Sequence, residues 1–184
     1  MELLASRGFR VAVWEPYTVI LARSGFIVDL YTHPPFAWVV YIDGEKLLRC
    51  CTEKIEVNGV KANALSKKAE VVVAAAHAIY KEHMVLLIDC LTAWAWTGRG
   101  VWSLAEELGA VKALETLHSI CRAIGAGYTE APHKLGIATT TRILSEKFVR
   151  DPLFRVTIIN MLKYVLGHRD IGARILNRLL RGSY

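Results

Sequence analysis

The chain has 184 residues, 53% of them hydrophobic and 22% charged, with a formal net charge of +6. That is enough apolar material for one packed domain or two small ones, and too much for a disordered chain. Glu70, His77, Lys81, Glu82 and Asp89 break the longest apolar runs before they reach the roughly 20 residues of a bilayer span, and Met1 to Arg10 hold no signal-peptide pattern, so a cytoplasmic protein without a membrane partner is expected. The basic balance allows contact with a polyanion, although charge speaks to association and not to fold. Gln is absent and Asn sparse, which fits a thermophile's avoidance of thermolabile amides.

Taken in order, Glu2 to Arg7 reads as the end of a helix stopped by Gly8. Arg10 to Trp14, Thr18 to Arg23 and Phe26 to Tyr31 are β-prone runs separated by Glu15-Pro16 and Ser24-Gly25. After Pro34-Pro35, Trp38 to Ile42 reads as a strand ending at the hairpin-type pair Asp43-Gly44. Lys54 to Val57 and Val60 to Asn63 flank Asn58-Gly59, the strongest hairpin signal in the chain. The first 64 residues are therefore expected to be mostly antiparallel β structure with little helix.

From Ser66, a plausible N-cap, the period becomes helical. Lys67 to His83 contain neither Gly nor Pro and are apolar on nearly every face, which predicts a buried helix joining sheet to bundle. Further helical segments follow at Met84 to Trp96, Ser103 to Leu108, Ala110 to Ile124, and about His133 to Val149, the last opened by Pro132. Asp151-Pro152 starts another that stops at Gly167, and Asp170 to Leu180 closes the chain. The expected fold class is α+β, with a small, mostly antiparallel sheet over 1–64 followed by an all-α helical bundle over 65–184.

Cys50, Cys51, Cys90 and Cys121 form no CxxC pair and have no His at metal-ligand spacing, which argues against zinc. They read as reduced core thiols; the alternative is a disulfide, with Cys90–Cys121 crossing two helices, whereas the vicinal Cys50 and Cys51 are not expected to pair with each other. Gly125-Ala126-Gly127 lacks the strand and the Lys of a phosphate loop and reads as a helix end. No nucleophile elbow and no HExxH are present.

Three groups of side chains invite functional readings. His77, Tyr80 and Lys81 fall three and four apart on one helical stripe; they are either packing and snorkelling residues or a cluster whose Lys81 meets a phosphate in a cleft at the domain junction. Asp29 is a carboxylate on a β-run with His33 close after it. Arg174, Arg178 and Arg181 recur on the last helix opposite Ile171, Ile175, Leu176 and Leu179, either as a solvated face or as a contact with nucleic-acid phosphates.

Val28-Asp29-Leu30-Tyr31-Thr32-His33-Pro34, Tyr41-Ile42-Asp43-Gly44, Ile55 to Asn63 with Leu65-Ser66, and Ala75 to Glu82 together resemble the latter half of an archaeal protein of the nucleotidyltransferase superfamily, the polymerase-beta-like fold. The resemblance covers roughly Phe9 to Leu91. It implies that Asp29 takes the place of the third catalytic, metal-binding carboxylate, that His77, Tyr80 and Lys81 face a nucleotide, and that the cofactor is Mg2+ with an NTP. The departure is that no Gly-Ser precedes a strand, the one Gly-Ser being Gly182-Ser183, and that no Asp-x-Asp pair occurs. Two-metal phosphoryl transfer needs that pair. No Arg-x(4–6)-His spacing of a companion ribonuclease is found either. The expected function is a truncated or degenerate nucleotidyltransferase-like protein without autonomous catalysis, one that binds a nucleotide or is completed by a partner chain. The alternative is an interaction module, either a homo-oligomer or a basic nucleic-acid binder using Arg174, Arg178 and Arg181.

Overall fold

The structure is a computed structural model and describes residues 1–167. The closing helix expected over Asp170 to Leu180, with Arg174, Arg178 and Arg181, and the Gly182-Ser183 pair lie outside the described residues.

A short helix α1 (Glu2–Ser6) ends before Gly8, whose φ of +82° is the left-handed conformation that suits glycine. Then β1 (Arg10–Glu15), β2 (Thr18–Arg23) and β3 (Phe26–Tyr31) form an antiparallel meander with β2 in the centre. The β2–β3 register runs unbroken from Thr18 opposite Tyr31 to Arg23 opposite Phe26, while β1 carries a bulge between Val11 and Val13. Only Thr18 and Leu21 of this sheet are buried.

The expected strand Trp38 to Ile42 is shorter and turns sooner. β4 (Pro35–Phe36) pairs with β5 (Val39–Val40), so Ala37 and Trp38, with φ of +48° and +64°, make the two-residue turn between them. Asp43-Gly44 is not a hairpin but a helix start, because the Asp43 carboxylate accepts the Lys46 amide at 3.0 Å and caps α2 (Gly44–Cys50). Gly44 is pressed against the Thr32 carbonyl, leaving no room for a Cβ. The Asn58-Gly59 hairpin forms as expected from β6 (Thr52–Val57) and β7 (Val60–Leu65).

Helix α3 (Lys67–Ala76) continues directly into a π-helical turn over His77–Glu82. Ser66 takes the N-cap backbone position, but its side chain makes no capping bond. The turn is followed by β8 (Met84–Val85), α4 (Leu87–Trp96), α5 (Val101–Glu107) and α6 (Val111–Gly125). The helix expected from His133 begins later. His133–Lys134 is strand β9, paired with β8, and the Leu135 amide bonds the His83 carbonyl, so α7 (Ile137–Arg150) starts only after Gly136. Asp151 caps α8 (Pro152–Thr157) through the amides of Leu153 and Phe154, and α9 (Ile159–Gly167) follows.

The protein is therefore α+β, with small antiparallel sheets first and a mainly helical part after, as expected, except that the β8–β9 strand pair lies within the stretch expected to be all-α. No described helix is long and apolar enough to cross a membrane. The core is centred on α3, where Ala69, Val71, Val72, Ala75 and Ala76 are buried against α4, α5 and α6. It also takes in Val39, Tyr41, Ile42, Leu47 and Cys51, so packing crosses the boundary at residues 64 and 65. The thiol expectation is corrected twice. Cys90 on α4 and Cys121 on α6 meet in the core, Cα to Cα 5.2 Å, and are bridged; Cys50 is bridged to Cys51, which has left the helical backbone at the end of α2.

Candidate functional site

The π-turn is the local irregularity around which the polar residues gather. An ordinary α-helix bonds each amide four residues back, but here the His83 amide reaches the Ala78 carbonyl five back, and His83 ends the turn at φ +52°. Such widened turns recur at functional sites, because they re-aim side chains that a regular helix would hold in a stripe. His77 is brought above Glu82, five residues on, with Nε2 3.4 Å from the carboxylate; Lys81 Nζ lies 3.9 Å from the same oxygen. On its other side His77 Nδ1 is 3.3 Å from the Tyr41 hydroxyl. With Tyr41 donating to Nδ1, the proton of the neutral ring sits on Nε2 and faces Glu82.

Burial is the largest influence on these groups. It pushes the Tyr41 phenol far above its usual range, with further help from Tyr31 and Glu82. It holds His77 below the usual imidazole value, with Lys81 adding to the effect and Glu82 and Asp89 opposing it. On the sheet side, Tyr31 hydrogen-bonds Asp29 on the same strand and lies within electrostatic reach of Tyr41. Tyr41, His77, Glu82 and Lys81 thus form one contiguous polar group.

Tyr80 meets this group through its ring alone, whose centroid is 6.3 Å from that of Tyr41. The expected common stripe of His77, Tyr80 and Lys81 is broken by the π-turn, and Tyr80 is buried on the side facing α6 and α7. There its hydroxyl takes a hydrogen bond from the backbone of Ala113 in the first turn of α6, a turn whose N-cap Ala110 supplies no side-chain acceptor. Its ring lies 5.1 Å below the Lys147 ammonium. The Lys147 side chain is 1% exposed; Nζ donates to the Gly109 carbonyl at 2.7 Å and pairs with Asp151 at 2.5 Å. Burial lowers the Lys147 pKa, with Asp151 opposing the shift.

Asp29 is exposed on β3, opposite Ile20. Among the described residues no group of three or more His, Cys, Asp or Glu side chains is placed to hold a metal ion. A pair of catalytic ions needs several converging carboxylates, so the described residues do not fit a magnesium centre and no step is derived through one.

Two concavities adjoin Tyr80. One, of about 370 Å³, is almost wholly apolar and lies among Phe36, Tyr41, Leu144, Phe148, Phe154 and Met161. The other is a cleft of about 580 Å³ between α5, the start of α6 and α7, with Trp102, Glu106, Lys112, Glu146, Lys147 and Arg150 on its walls. Both sizes fall within the range of small-molecule sites. Trp102 and Lys147 were not singled out by the sequence, and Tyr41 entered there only within the Tyr41-Ile42-Asp43-Gly44 segment. For Lys147 a signal exists: it stands at a core position of α7, four after Ile143, with Asp151 four further on.

Comparison with protein-family models, curated proteins and solved structures finds no match.

Proposed function

We propose that this chain is a nucleotidyltransferase-like binding module without autonomous catalysis, whose meander sheet is completed by a second copy of the chain. The observation that carries the reading is the open sheet. Trp14 is 67% exposed and Phe26 and Ile27 are each 70% exposed, and Val11, Val13, Leu30 and Tyr31 are exposed beside them. Among the described residues β1 and β3 are the two edges of the sheet. Exposed apolar surface next to open edges favours strand addition. An antiparallel edge paired with its own twin satisfies a two-fold axis, which makes a second copy the simplest occupant. The reading of a chain without autonomous catalysis draws on Asp29, which has Tyr31 as its hydrogen-bonding neighbour and, among the described residues, belongs to no group of three or more His, Cys, Asp or Glu side chains placed to hold a metal ion.

Amide hydrogen exchange at two protein concentrations tests the first half. The β1 and β3 amides are expected to exchange faster on dilution while those of α3 do not change; equal rates at both concentrations would oppose the reading. Incubation with magnesium-NTP tests the second half, and transfer of a nucleotide that Asp29→Ala abolishes would overturn it.

A further inference from the structure

We propose that the cleft between α5, α6 and α7 is the ligand site of this chain, taking a nucleoside monophosphate with its base on Trp102 and its phosphate between Lys112 and Arg150. Its ligand class rests on the nucleotidyltransferase-like reading proposed above and on the nucleotide that the family resemblance implies. Its location differs from that implied by the family resemblance, which puts the nucleotide at His77, Tyr80 and Lys81.

Trp102 is a large apolar side chain left 45% exposed at the wall of a concave site. Its ring is backed by His118, with centroids 5.5 Å apart and planes 29° from parallel. A ring fixed on one side and open to a cleft is a preformed stacking platform, and base-on-aromatic stacking is sequence-tolerant because every base offers a π-face. Lys112 and Arg150 approach from opposite walls. Among the described residues each is tied by an intrahelical ion pair, Lys112 to Glu115 at 3.0 Å and Arg150 to Glu146 at 3.3 Å, and such partly exposed pairs are weak enough to be exchanged for a phosphate.

The carboxylates decide between ligand classes. Glu106 and Glu146 share the cleft with the cations, so the ligand that fits carries hydrogen-bond donors as well as an anionic group, and a plain aromatic acid brings no such donors. A nucleoside phosphate carries sugar hydroxyls and base amines to donate to carboxylates, a ring to stack, and oxygens for Lys112 and Arg150. The neighbouring apolar cavity offers no such set, since the Tyr41 and Tyr80 hydroxyls that border it are engaged by His77 and the Ala113 backbone.

The test is a calorimetric and tryptophan-fluorescence titration with AMP, GMP, CMP and UMP, with adenosine alone, and with inorganic phosphate alone. At least one monophosphate should bind and quench fluorescence, and more tightly than adenosine or phosphate. Trp102→Ala should abolish the quench and weaken binding at least tenfold. Lys112→Ala with Arg150→Ala should reduce the monophosphate to the affinity of the nucleoside, with an unchanged circular dichroism spectrum. Binding that survives Trp102→Ala but is lost in Lys81→Ala overturns this location while leaving nucleotide binding intact. Phosphate alone binding as tightly as the nucleotide also overturns it, and no binding of any monophosphate at millimolar concentration removes both the site and the nucleotide-binding reading.

Discussion

Replacing Lys147 by Met should destabilise the protein by about 3 kcal/mol, the lower end of the cost of breaking a buried ion pair from one side. The lower end applies because Asp151 is not wholly stranded: it keeps the Leu153 and Phe154 amides at 2.9 and 3.1 Å, and its side chain is 15% exposed. What is lost outright is the donor to the Gly109 carbonyl, the counter-charge to Asp151, and the cation over the Tyr80 ring. For a chain of this size the same loss lowers the melting temperature by about 6–12 °C. Urea denaturation followed by circular dichroism measures it. Adding Asp151→Asn, which removes the unpaired charge but keeps an N-cap acceptor, should restore part of the loss. A Lys147→Met protein within 0.5 kcal/mol of wild type would contradict this, since a buried ammonium with three partners cannot be both integral to the core and dispensable. Stability also depends on pH through Lys147. Because the folded-state pKa of Lys147 lies below the ordinary 10.5, the unfolded chain binds more protons between the two values, and this residue's contribution makes stability rise with pH across that window.

Gly109 has φ +64°, and a Cβ there would come within 3.1 Å of both Lys147 Nζ and Asp151, so Gly109→Ala should cost about 1–2 kcal/mol in the same denaturation assay. Tyr41 and Tyr80 have folded-state pKa values raised above the ordinary 10.0, so the unfolded chain loses its protons first. Their contribution to stability is full below pH 10 and falls above it, which thermal melts between pH 8 and 11 should record. The Cys90–Cys121 bridge closes a loop of 31 residues, for which the chain-entropy account gives about 3.7 kcal/mol. Unfolding midpoints with and without a dithiol reductant should differ accordingly, and the double variant Cys90→Ala with Cys121→Ala should lose that dependence.

Much of the architecture was legible because it rests on local chemistry. Asn58-Gly59 and Ser24-Gly25 fix turns by backbone conformation alone, and both hairpins formed where those pairs stand. Asp151-Pro152 announced a helix start for a similar reason. The failures lie where a distant partner decided the outcome. Asp43-Gly44 suits a hairpin in isolation, yet Gly44 packs under the Thr32 carbonyl and the carboxylate caps a helix. His133–Lys134 carries helical signals but is claimed by Met84–Val85, some 50 residues earlier. The stripe of His77, Tyr80 and Lys81 assumed an α-helical period, and no feature of those six residues in isolation signals a bond to the fifth residue back. Lys147 was hidden by the habit of assigning lysines to the surface, although its i+4 Asp151 is visible in the sequence.

Light scattering of the purified chain at micromolar concentration, beside the double variant Trp14→Lys with Phe26→Lys, tests the central claim most directly. Both side chains are exposed in the single chain, so the substitutions should leave its fold unchanged. The account expects twice the chain's mass for wild type and a single chain's mass for the variant. A wild-type chain that stays monomeric, or a dimer indifferent to both substitutions, would contradict it.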